Sequence, residues 1–591
     1  MCGIAGILRL SKRPLPERRI LSAMLSAISH RGPDEQGSYF DEWMHVGAVR
    51  LSILDLEKGG QPAKTPSGRT IAVQNGEIYN FATLARDLQK KGHELSSTGD
   101  TIVLPHMHEE YGAEFVSQLR GMYAIAVWDS AERRLLLCRD RLGIKPLFFA
   151  KTTDYLLFAS EIKALLATGL IVPAIDRRSL DDLFSLSYPC PPRSMFKGVD
   201  ELLPAHTLMV YAGRGRADIR IERYWRIPFA RCGEHSRIGF DDAASELKER
   251  LRKTIADHMV ADVKVGTYLS SGVDSSSVTA LAREIAGEPL DCFTISFPSS
   301  THDEATRAAQ FAASLGCRHH LVECGPETAE LFLDSVYHTE LPLQYPVSLP
   351  LQRLSKVVQE QGFKVVLTGE GVDEQYAGYD CFRLERIRKV LEFAGLSWLK
   401  PYIYRRLFSW LGSPQGMAEF FIKVQRYPDS KIRQEFSNVR PPWYDIWHAL
   451  DIHRSDLLGV NGRSVRPIEV APEGFNELFD GTLKDLHPLD AALAIEMQTR
   501  LPSWTVLVDD RVSMANGVET RVPFLDHELV EWVAKLPPSY KLRGLNEKAI
   551  LRASMKGVLP QDTRKRIKQP FYSPIKEWFF SPQSPEFASS L

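Results

Sequence analysis

The residue pattern changes near residue 236, and no single layer architecture accommodates both parts of the chain. Up to about residue 205, short apolar strands are separated by turn residues, which indicates two stacked antiparallel sheets. Beyond about residue 236, helices alternate with short β-branched strands, which indicates βαβ units and a parallel sheet. The 591 residues also exceed what one hydrophobic core supports. We therefore predict domains at 1–205 and 236–591, joined by a linker at 206–235.

Composition excludes several classes of protein. The chain is 44% hydrophobic and 25% charged with a net charge of −1, which is typical of a globular protein and gives no reason to expect nucleic acid as a partner. No apolar run approaches the roughly 18 residues of a membrane helix, and the N-terminus does not have the pattern of a signal peptide. The eight cysteines are scattered, which suits a reduced, cytoplasmic protein.

Cys2 is the first candidate for chemistry. Removal of Met1 would place a thiol nucleophile and an α-amine on one residue, and an α-amine with a pKa near ~8 is an internal base. The small residues Gly3, Ala5 and Gly6 allow close packing around the thiol. The alternative is an ordinary cysteine at a frayed terminus.

Amide hydrolysis by Cys2 needs further groups, and the first domain offers them. Asn75 and Gly76, at a predicted turn after a strand, can supply oxyanion donors. Arg50 can pair with the α-carboxylate of an amino acid, and Glu77 and Asp100 can pair with its α-ammonium group. Taken singly, each of these residues has an ordinary reading as a turn residue or a surface charge.

Together, the motifs of the first 165 or so residues resemble the class II glutamine amidotransferases, which use an N-terminal nucleophile. The matching stretches are MCGIAGI, HRGPD, RLSI, NGEIYN, GMYAIAVWD, RDRLGIKPLFF and FASEIKALL. The resemblance implies an α+β Ntn-hydrolase sandwich, with two antiparallel sheets between helices. It implies Cys2 as the nucleophile and Asn75 with Gly76 as the oxyanion hole. The implied glutamine contacts are Arg50, Asn75, Gly76, Glu77 and Asp100.

An anion site is predicted where a buried strand at 263–269 enters the stretch SSGVDSSS. Small residues let backbone N–H groups face a phosphate, hydroxyls add donors, and the following helix N-terminus adds positive potential. Asp274 would repel a phosphate unless Mg²⁺ lies between them, so we interpret it as a metal contact. The alternative is a simple helix cap.

This stretch resembles the pyrophosphate loop SGGxDSS of the ATP pyrophosphatases, which adenylate a substrate and release pyrophosphate. Ser271 replaces the first glycine of that loop. The resemblance implies ATP contacts at Ser270, Gly272, Asp274, Ser275 and Ser276.

A second strand, at 364–367, runs into TGEGVDE. Glycines at the carboxyl end of a strand in a doubly wound sheet mark a ligand crevice. Asp373 is the second candidate for Mg²⁺, and Glu370 is a candidate contact to the acceptor or to a transition state. A mostly helical insertion is predicted from about 380 to 490, without a catalytic motif.

Later motifs extend the resemblance to the glutamine-dependent asparagine synthetases, over nearly the whole chain outside the helical insertion. These motifs are VDDRVSMA, VETRVPFLD, KAILR and KQPF. The resemblance implies that Lys548 stabilises the adenylation transition state. It also implies that Leu269, Ile295, Thr368 and Gly369 line the ATP site. The family's DPS-type stretch reads YPVS at 345–348, a departure that leaves aspartate open as the acceptor.

The predicted function is asparagine synthesis with glutamine as the nitrogen donor. Glutamine, ATP and a carboxylate acceptor, aspartate by family default, are the expected partners, with ATP and Mg²⁺ as cofactors. No nucleic-acid or membrane partner is expected, and a homodimer stays open. The first alternative is the same mechanism on another carboxylate, from a natural product, an osmolyte peptide or a cell-wall precursor. A binding protein without activity on the same fold is the remoter alternative.

Overall fold

The computed structural model describes residues 2–213, 218–298, 303–343, 347–410, 419, 422, 478–479, 481–568 and 573–580. Most of the predicted helical insertion lies outside these ranges, as do Tyr345 and Pro346 of the YPVS stretch and the motif residues 569–571. No helix of the described ranges is both long and apolar enough to cross a membrane.

Twelve strands and five α-helices make up the N-terminal part. In chain order they are β1 Cys2–Arg9, α1 Arg18–Ala27, β2 Glu35–Phe40, β3 Met44–Arg50, β4 Ala63–Lys64, β5 Thr70–Ile78, α2 Phe81–Lys90, α3 Val103–Tyr111, β6 Gly121–Asp129, β7 Arg134–Arg139, β8 Phe148–Lys151, β9 Tyr155–Ala159, α4 Ile162–Leu166, α5 Arg177–Leu186, β10 Asp200–Glu201, β11 His206–Tyr211 and β12 Asp218–Arg223. The counts refer to the described residues.

These strands form two six-stranded sheets, in the orders β10-β8-β9-β1-β3-β2 and β12-β11-β7-β6-β5-β4. All their strand pairs are antiparallel. Apolar side chains from both sheets share one core, including Ile4 of β1, Val73 of β5 and Trp128 of β6. Leu25 of α1 packs on the outer face of the first sheet, and Leu88 of α2 packs on the outer face of the second. The predicted sandwich of two antiparallel sheets between helices is confirmed.

The predicted linker needs a correction. Residues His206–Tyr211 and Asp218–Arg223, which we assigned to the linker 206–235, are strands β11 and β12 of the second sheet. Strand β11 pairs with β7 from Thr207 to Tyr211, and its inward side chains Leu208 and Val210 are buried in the shared core. The sequence did not indicate this hairpin, because polar residues lie near 213 and the side chains of the short strand β12 are mostly exposed.

The C-terminal part contains a five-stranded parallel sheet in the order β15-β14-β13-β16-β17. Its elements are α6 Phe240–His258, β13 Val265–Tyr268, α7 Val273–Ala286, β14 Asp291–Ser296, α8 Ala305–Ser314, β15 Arg318–Glu323, α9 Phe332–Thr339, α10 Ser348–Glu360, β16 Val365–Leu367, α11 Val372–Gln375, α12 Asp380–Phe393, α13 Lys400–Trp410, α14 Pro488–Gln498, α15 Val506–Met514, β17 Glu519–Arg521, α16 His527–Ala534, α17 Pro538–Lys541, β18 Leu542–Arg543, β19 Asn546–Glu547, α18 Ala549–Ser554, α19 Gln561–Lys565 and α20 Ile575–Phe579. The parallel sheet with flanking helices confirms the predicted α/β class.

Strand order creates the crevice of the second part. Strand β13 lies between β14 and β16, so the chain leaves it toward one side and returns on the other. Such a reversal opens a crevice at the carboxyl ends of the strands. The loop at 269–272 follows β13 and the loop at 368–371 follows β16, so both predicted ATP loops lie at this crevice.

Strand β5 is longer than predicted, and this corrects the local environment of the oxyanion candidates. Asn75, Gly76 and Glu77 continue the strand and pair with residues 122–124 of β6, whereas the sequence predicted a turn there. Full-length pairing with β6 overrides the turn preference of Asn-Gly. Gly76 has φ +135, and a Cβ at this position would overlap the carbonyl oxygen of Met122.

We expect Gly76→Ala to destabilise the protein by more than about 2 kcal/mol, because the backbone strain and the overlap with Met122 both act on a central strand. The matched control is Gly60→Ala, where the nearest atom to the new Cβ is Glu35 Oε2 at 3.7 Å. Urea unfolding midpoints check the difference. Equal midpoints for the two variants would contradict the assigned role of Gly76.

Candidate active site

The first predicted site gathers around the start of β1. Cys2 lies directly opposite Arg50 in the β1–β3 pairing, and its side chain is buried. The backbone N of Cys2 lies 3.4 Å from Asn75 Oδ1. Asn75 Nδ2 is buried and has no hydrogen-bond partner among the described residues. A buried amide donor without a partner is costly unless a ligand completes it, so Asn75 suits a developing oxyanion beside Cys2.

A cavity of about 250 Å³ opens at this thiol. Its lining includes Cys2, Arg50, Gly76, Glu77 and Asp100, so the structure brings four of the five predicted glutamine contacts into one cavity with the thiol. The fifth, Asn75, accepts a hydrogen bond from the backbone N of Cys2. The remaining wall is mostly the loop 51–64 and the segment 96–102.

Charges of both signs are fixed at the wall of this cavity. Arg50 Nη1 pairs with Glu35 Oε1 at 2.8 Å, and Nη2 donates to the carbonyls of Leu54 and Asp55. Asp100 Oδ2 accepts from Gln74 Nε2 at 2.6 Å and from the backbone N of Ile78 at 3.0 Å. A guanidinium beside a carboxylate complements the α-carboxylate and α-ammonium of a free amino acid.

Glu77 connects this cavity to the C-terminal part. Its carboxylate lies 3.3 Å from the guanidinium of Arg521, which also pairs with Glu519. Burial raises the pKa of Glu77 well above its usual value, and the nearby charge of Glu519 adds to the effect while Arg521 opposes it. The charge of Glu77 therefore depends on a residue of β17.

The surroundings of Cys2 do not by themselves lower the pKa of its thiol. Burial raises the pKa of Cys2 to about 11, while the positively charged amino terminus, a hydrogen bond from the backbone of Leu51 and the charge of Arg50 oppose this. A thiol with such a pKa is protonated at neutral pH, so it needs a base at hand when it reacts.

The second predicted site begins at the loop after β13. Ser275 Oγ accepts from the backbone N of Ser270 at 2.9 Å, and Ser270 Oγ accepts from the backbone N of Gly272 at 3.1 Å. Ser276 Oγ lies 3.4 Å from the carbonyl oxygen of Ser270. These hydrogen bonds fix the conformation of the segment 270–276. Within the described ranges, the buried Ser271 hydroxyl and Asp274 Oδ1 have no hydrogen-bond partner.

The loop after β16 touches the first turn of α7. A Cβ on Gly369 would lie 2.9 Å from the backbone N of Ser275, so glycine permits this contact. Thr368 donates its backbone N–H to the carbonyl of Arg521 at 2.9 Å. Leu269 is buried beside these loops, and Ile295 is half-buried on β14. The four residues expected to line the ATP site therefore lie along one sheet edge.

Lys548 joins the two predicted metal contacts. Its Nζ lies 2.6 Å from Asp274 Oδ2 and 2.6 Å from Asp373 Oδ1. Lys568 Nζ lies 2.6 Å from Asp373 Oδ2. The two lysines hold the pKa of Asp373 below its usual value despite burial. The sequence assigned no role to Lys568, although its charge within KQPF was a signal.

The donor set of this second site fits Mg²⁺ and a polyphosphate. Two carboxylates, from Asp274 and Asp373, supply the hard oxygen ligands that Mg²⁺ takes, and one oxygen of Asp274 has no hydrogen-bond partner in the described chain. Lys548, Lys568 and the unpartnered hydroxyl of Ser271 supply cationic and polar donors for phosphate oxygens.

Glu370 has an unusual charge state for a carboxyl group. Burial raises its pKa to about 8, and the neighbouring carboxylates of Asp509 and Glu374 add to the rise, while Lys568 opposes it. The group is therefore mostly neutral at pH 7, and a small change in its surroundings changes its charge.

Arg31 of the HRGPD motif is a site residue that the sequence reading left without a role. It is fully buried, and its Nε donates to the carbonyl of Cys2 at 3.3 Å. Its two other nitrogens pair with Glu161 of the N-terminal part and with Asp510 of α15, both at 2.8 Å. Further ion pairs across the same interface are Lys145–Asp510, Lys163–Glu340 and Arg511–Glu161, and Arg511 also pairs with Glu340 within the C-terminal part. A buried network of ion pairs thus connects β1, the strand that carries Cys2, to the C-terminal part.

Comparison with known proteins identifies the class of the chain. The sequence model of the family described as "Asparagine synthase" matches residues 246–591, and that of the "Glutamine amidotransferase domain" matches residues 1–225. The chain belongs to the asparagine synthase family. Relatives named asparagine synthetases align with nearly the whole chain, which indicates that this protein is a glutamine-dependent, ATP-using ligase.

Relatives with different names are about equally similar. "Amidase chry2" of Gibberella zeae is 33% identical over 94% of this chain and 85% of its own. "Asparagine synthetase [glutamine-hydrolyzing] 3" of Bacillus subtilis is 30% identical over 97% of this chain and 87% of its own. "Amidase chyE" of Penicillium rubens is 32% identical over 94% and 85% of the two chains. Family membership therefore does not select the acceptor.

We expect Glu370→Gln to stabilise the ligand-free protein by about 1 kcal/mol or more at pH 8 and to have little effect near pH 4. The folded carboxyl group has a pKa of about 8 and the unfolded one about 4.3, so the folded state binds more protons between these values. The stability of the wild type therefore falls as pH rises through this window. The Glu370→Gln substitution removes this fall, because the new side chain does not ionise.

Thermal melts across this pH range, without ATP or Mg²⁺, measure the difference. The control is Glu360→Gln, which replaces an exposed carboxylate at the end of α10. A melting difference for Glu370→Gln that does not grow with pH would reject the raised pKa.

Proposed function

We propose that this protein hydrolyses glutamine and uses the ammonia to convert an ATP-activated carboxylate to an amide. With aspartate as the acceptor, the products are asparagine, AMP, pyrophosphate and glutamate. The proposal rests on one observation: each of two sites in the same chain holds buried polar atoms that lack partners among the described residues, Asn75 Nδ2 beside Cys2 and Asp274 Oδ1 beside Lys548. The nucleophile Cys2 beside the first of these atoms favours an enzyme over a binding protein without activity.

At the first site, Cys2 is the proposed nucleophile. Once Met1 is removed, the α-amine of Cys2 takes the thiol proton and Sγ bonds to the carboxamide carbon of glutamine. Asn75 Nδ2 and the backbone N–H of Gly76 donate to the oxyanion. The carbon–nitrogen bond then breaks, ammonia leaves with the proton returned from the amine, and water hydrolyses the thioester to glutamate. Arg50, Glu77 and Asp100 orient the amino-acid end of the substrate.

At the second site, Asp274 and Asp373 would hold Mg²⁺. When bound, the metal neutralises charge on the phosphates of ATP. The serine hydroxyls and the helix after them orient the pyrophosphate part, and Lys548 stabilises charge at the α-phosphate. An acceptor carboxylate oxygen attacks the α-phosphorus and pyrophosphate leaves. Ammonia then attacks the activated carbonyl carbon and AMP leaves, and the fraction of Glu370 that is ionised, a minor one at pH 7 because its pKa is about 8, takes the proton that the nitrogen loses.

An apolar cluster between the two parts is the proposed path for ammonia. Met122, Leu142 and Ile144 come from the N-terminal part, and Met497, Leu501, Val506, Val522, Leu525 and Val530 come from the C-terminal part. At one end, Met122 packs against Gly76, and at the other, Leu525 packs against Gly371 beside Glu370. Apolar walls disfavour ammonium, so they keep the molecule neutral and nucleophilic.

The acceptor is the part of the proposal with a second candidate. Two relatives named amidases are as similar to this chain as the Bacillus asparagine synthetase is, which favours a carboxylate other than aspartate as the second candidate. Ser348, at the start of α10, is buried with no hydrogen-bond partner for its hydroxyl in the described chain. We propose that the stretch 345–348 contributes to the choice of acceptor. We also propose that the glutaminase domain extends to residue 223.

We expect Cys2→Ala to lower glutamine-dependent amide formation by at least about 1,000-fold, because Cys2 carries the only thiol among the described residues that line the cavity. Synthesis with ammonium as the nitrogen source should be retained, since the second site is unchanged. The matched control is Cys232→Ala, which removes an exposed thiol. Loss of both activities in Cys2→Ala would refute this division of labour.

We expect aspartate to stimulate pyrophosphate release from Mg·ATP in the presence of glutamine, with asparagine formed in equal amount. The measurement is a panel of carboxylic acids headed by aspartate, with Lys548→Met as the background control. Release with another acid alone would replace aspartate by that acid and keep the mechanism. No release with any acid, from protein shown to lack Met1, would contradict the proposed function.

A further inference from the structure

Gln61 reaches the reactive sulfur from the loop between β3 and β4. Its Nε2 lies 3.2 Å from Cys2 Sγ. The residue lines the same cavity as Cys2. Neither the motif pattern nor the family resemblance assigned a role to it, because a glutamine in a polar loop has no recognisable spacing to Cys2.

The orientation of the Gln61 carboxamide is fixed by the main chain of Gln74. Oε1 of Gln61 accepts from the backbone N of Gln74 at 2.7 Å, and Nε2 donates to the carbonyl of Gln74 at 3.0 Å. Reversing the amide would place two donors together and two acceptors together, so this pairing determines which end is nitrogen. One hydrogen of Nε2 is used on Gln74, and the other is available to the sulfur.

The backbone of the loop also holds Gln61 in place. Its carbonyl oxygen packs against Gly37 of β2, where a Cβ would overlap it. Upstream in the loop, Asp55 accepts from Ser97 Oγ at 2.6 Å and from the backbone N of Thr98 at 2.7 Å. A side chain anchored at both its amide and its backbone is a preorganised donor, which loses little entropy when it acts.

The sulfur needs such a donor. Cys2 is 5% exposed, and its burial and the charge of Asp100 both disfavour a thiolate. A hydrogen bond to an ionised acceptor is roughly twice as strong as one to a neutral group. A donor at 3.2 Å therefore favours the thiolate over the thiol.

We propose that Gln61 is a further catalytic residue of the glutaminase site, whose Nε2–H stabilises the negative charge on Cys2 Sγ as its proton passes to the α-amine and aims the sulfur at the substrate. This rests on the proposed glutaminase function. Gln61 exchanges no atom with the substrate. As the sulfur–carbon bond forms, the sulfur loses its charge and the charge moves to the oxyanion beside Asn75, so the bond from Gln61 weakens. Its effect is on the reactivity of the nucleophile.

The test is the pH dependence of Cys2 alkylation by iodoacetamide in the full-length protein with Met1 removed. The variant is Gln61→Met, which keeps the length of the side chain and removes the donor, and the control is Gln89→Met at an exposed position of α2. Peptide mass spectrometry after short exposures follows Cys2 alone from about pH 6 to about pH 12, a range that includes the thiol pKa of about 11. We expect the midpoint for Gln61→Met to rise by about one pH unit, and the rate near neutral pH to fall about tenfold. The control should match the wild type.

A second variant keeps the test decisive. Gln61→Glu retains an oxygen for the backbone N–H of Gln74 but adds a negative charge near Sγ, so its midpoint should rise further than that of Gln61→Met. Ammonia-supported pyrophosphate release should be unchanged in both variants, which reports on an intact second site. An alkylation profile equal to that of the wild type in both variants overturns the role of Gln61.

Glutaminase kinetics separate this inference from the proposed function. For Gln61→Met, kcat/KM for glutamine should fall about tenfold near neutral pH and recover toward wild type above the shifted midpoint. A fall of the same size at every pH would mean that Gln61 only shapes the cavity, which overturns the proposal. No glutamate from wild-type protein at any pH would instead overturn the proposed function itself, whatever the alkylation profiles.

Discussion

Burial of charge at the interface between the two parts is the constraint on which this structure depends. Arg31 and Glu161 have no solvent exposure, and Asp510 is nearly as buried. Removing one member of a buried ion pair costs about 3–5 kcal/mol, because the partner charge stays behind without water. The network therefore resists separation of the two parts. Since Arg31 also donates to the carbonyl of Cys2, the position of the thiol depends on contacts that the C-terminal part supplies.

Strands of the parallel sheet reach both sites. Asp262, just before β13, donates its backbone N–H to the carbonyl of Ile53, and its carboxylate accepts from the backbone N of Asp55 at 2.7 Å. Lys364, just before β16, pairs with Asp34 at 2.7 Å. The amino ends of these strands thus hold the wall of the thiol cavity, while their carboxyl ends lead into the loops predicted to bind ATP. A shift of either strand would therefore move both the wall of the thiol cavity and the loop at its carboxyl end.

Local pattern predicted much of the architecture, and long-range pairing decided the rest. Apolar periodicity and turn residues predict helices at 18–28 and 240–259 and a hairpin of strands at 123–129 and 134–139. The structure differs from these bounds by at most two residues in α1, α6 and β6–β7. The continuation of β5 through Ile78 depends on pairing with β6, which no local pattern contains. The strand β12 has mostly exposed side chains, so its place in the sheet was hidden. In the sites, motif residues such as Cys2 and Asp274 were identifiable, but Gln61 was not, because its role depends on a side-chain amide paired with another strand.

Lys548 lies between Asp274 and Asp373, which are carboxylates from two different loops. Without it, two anions would face each other in a buried crevice, and each would raise the pKa of the other. Lys548, together with Lys568 on Asp373, therefore balances the charge of the two carboxylates. If a polyphosphate bound here with Mg²⁺, Asp274 and Asp373 would hold the metal and Lys548 would pair with phosphate oxygens instead. Binding would then be an exchange of ions, and such an exchange depends less on ionic strength than the capture of a bare anion by a cationic surface.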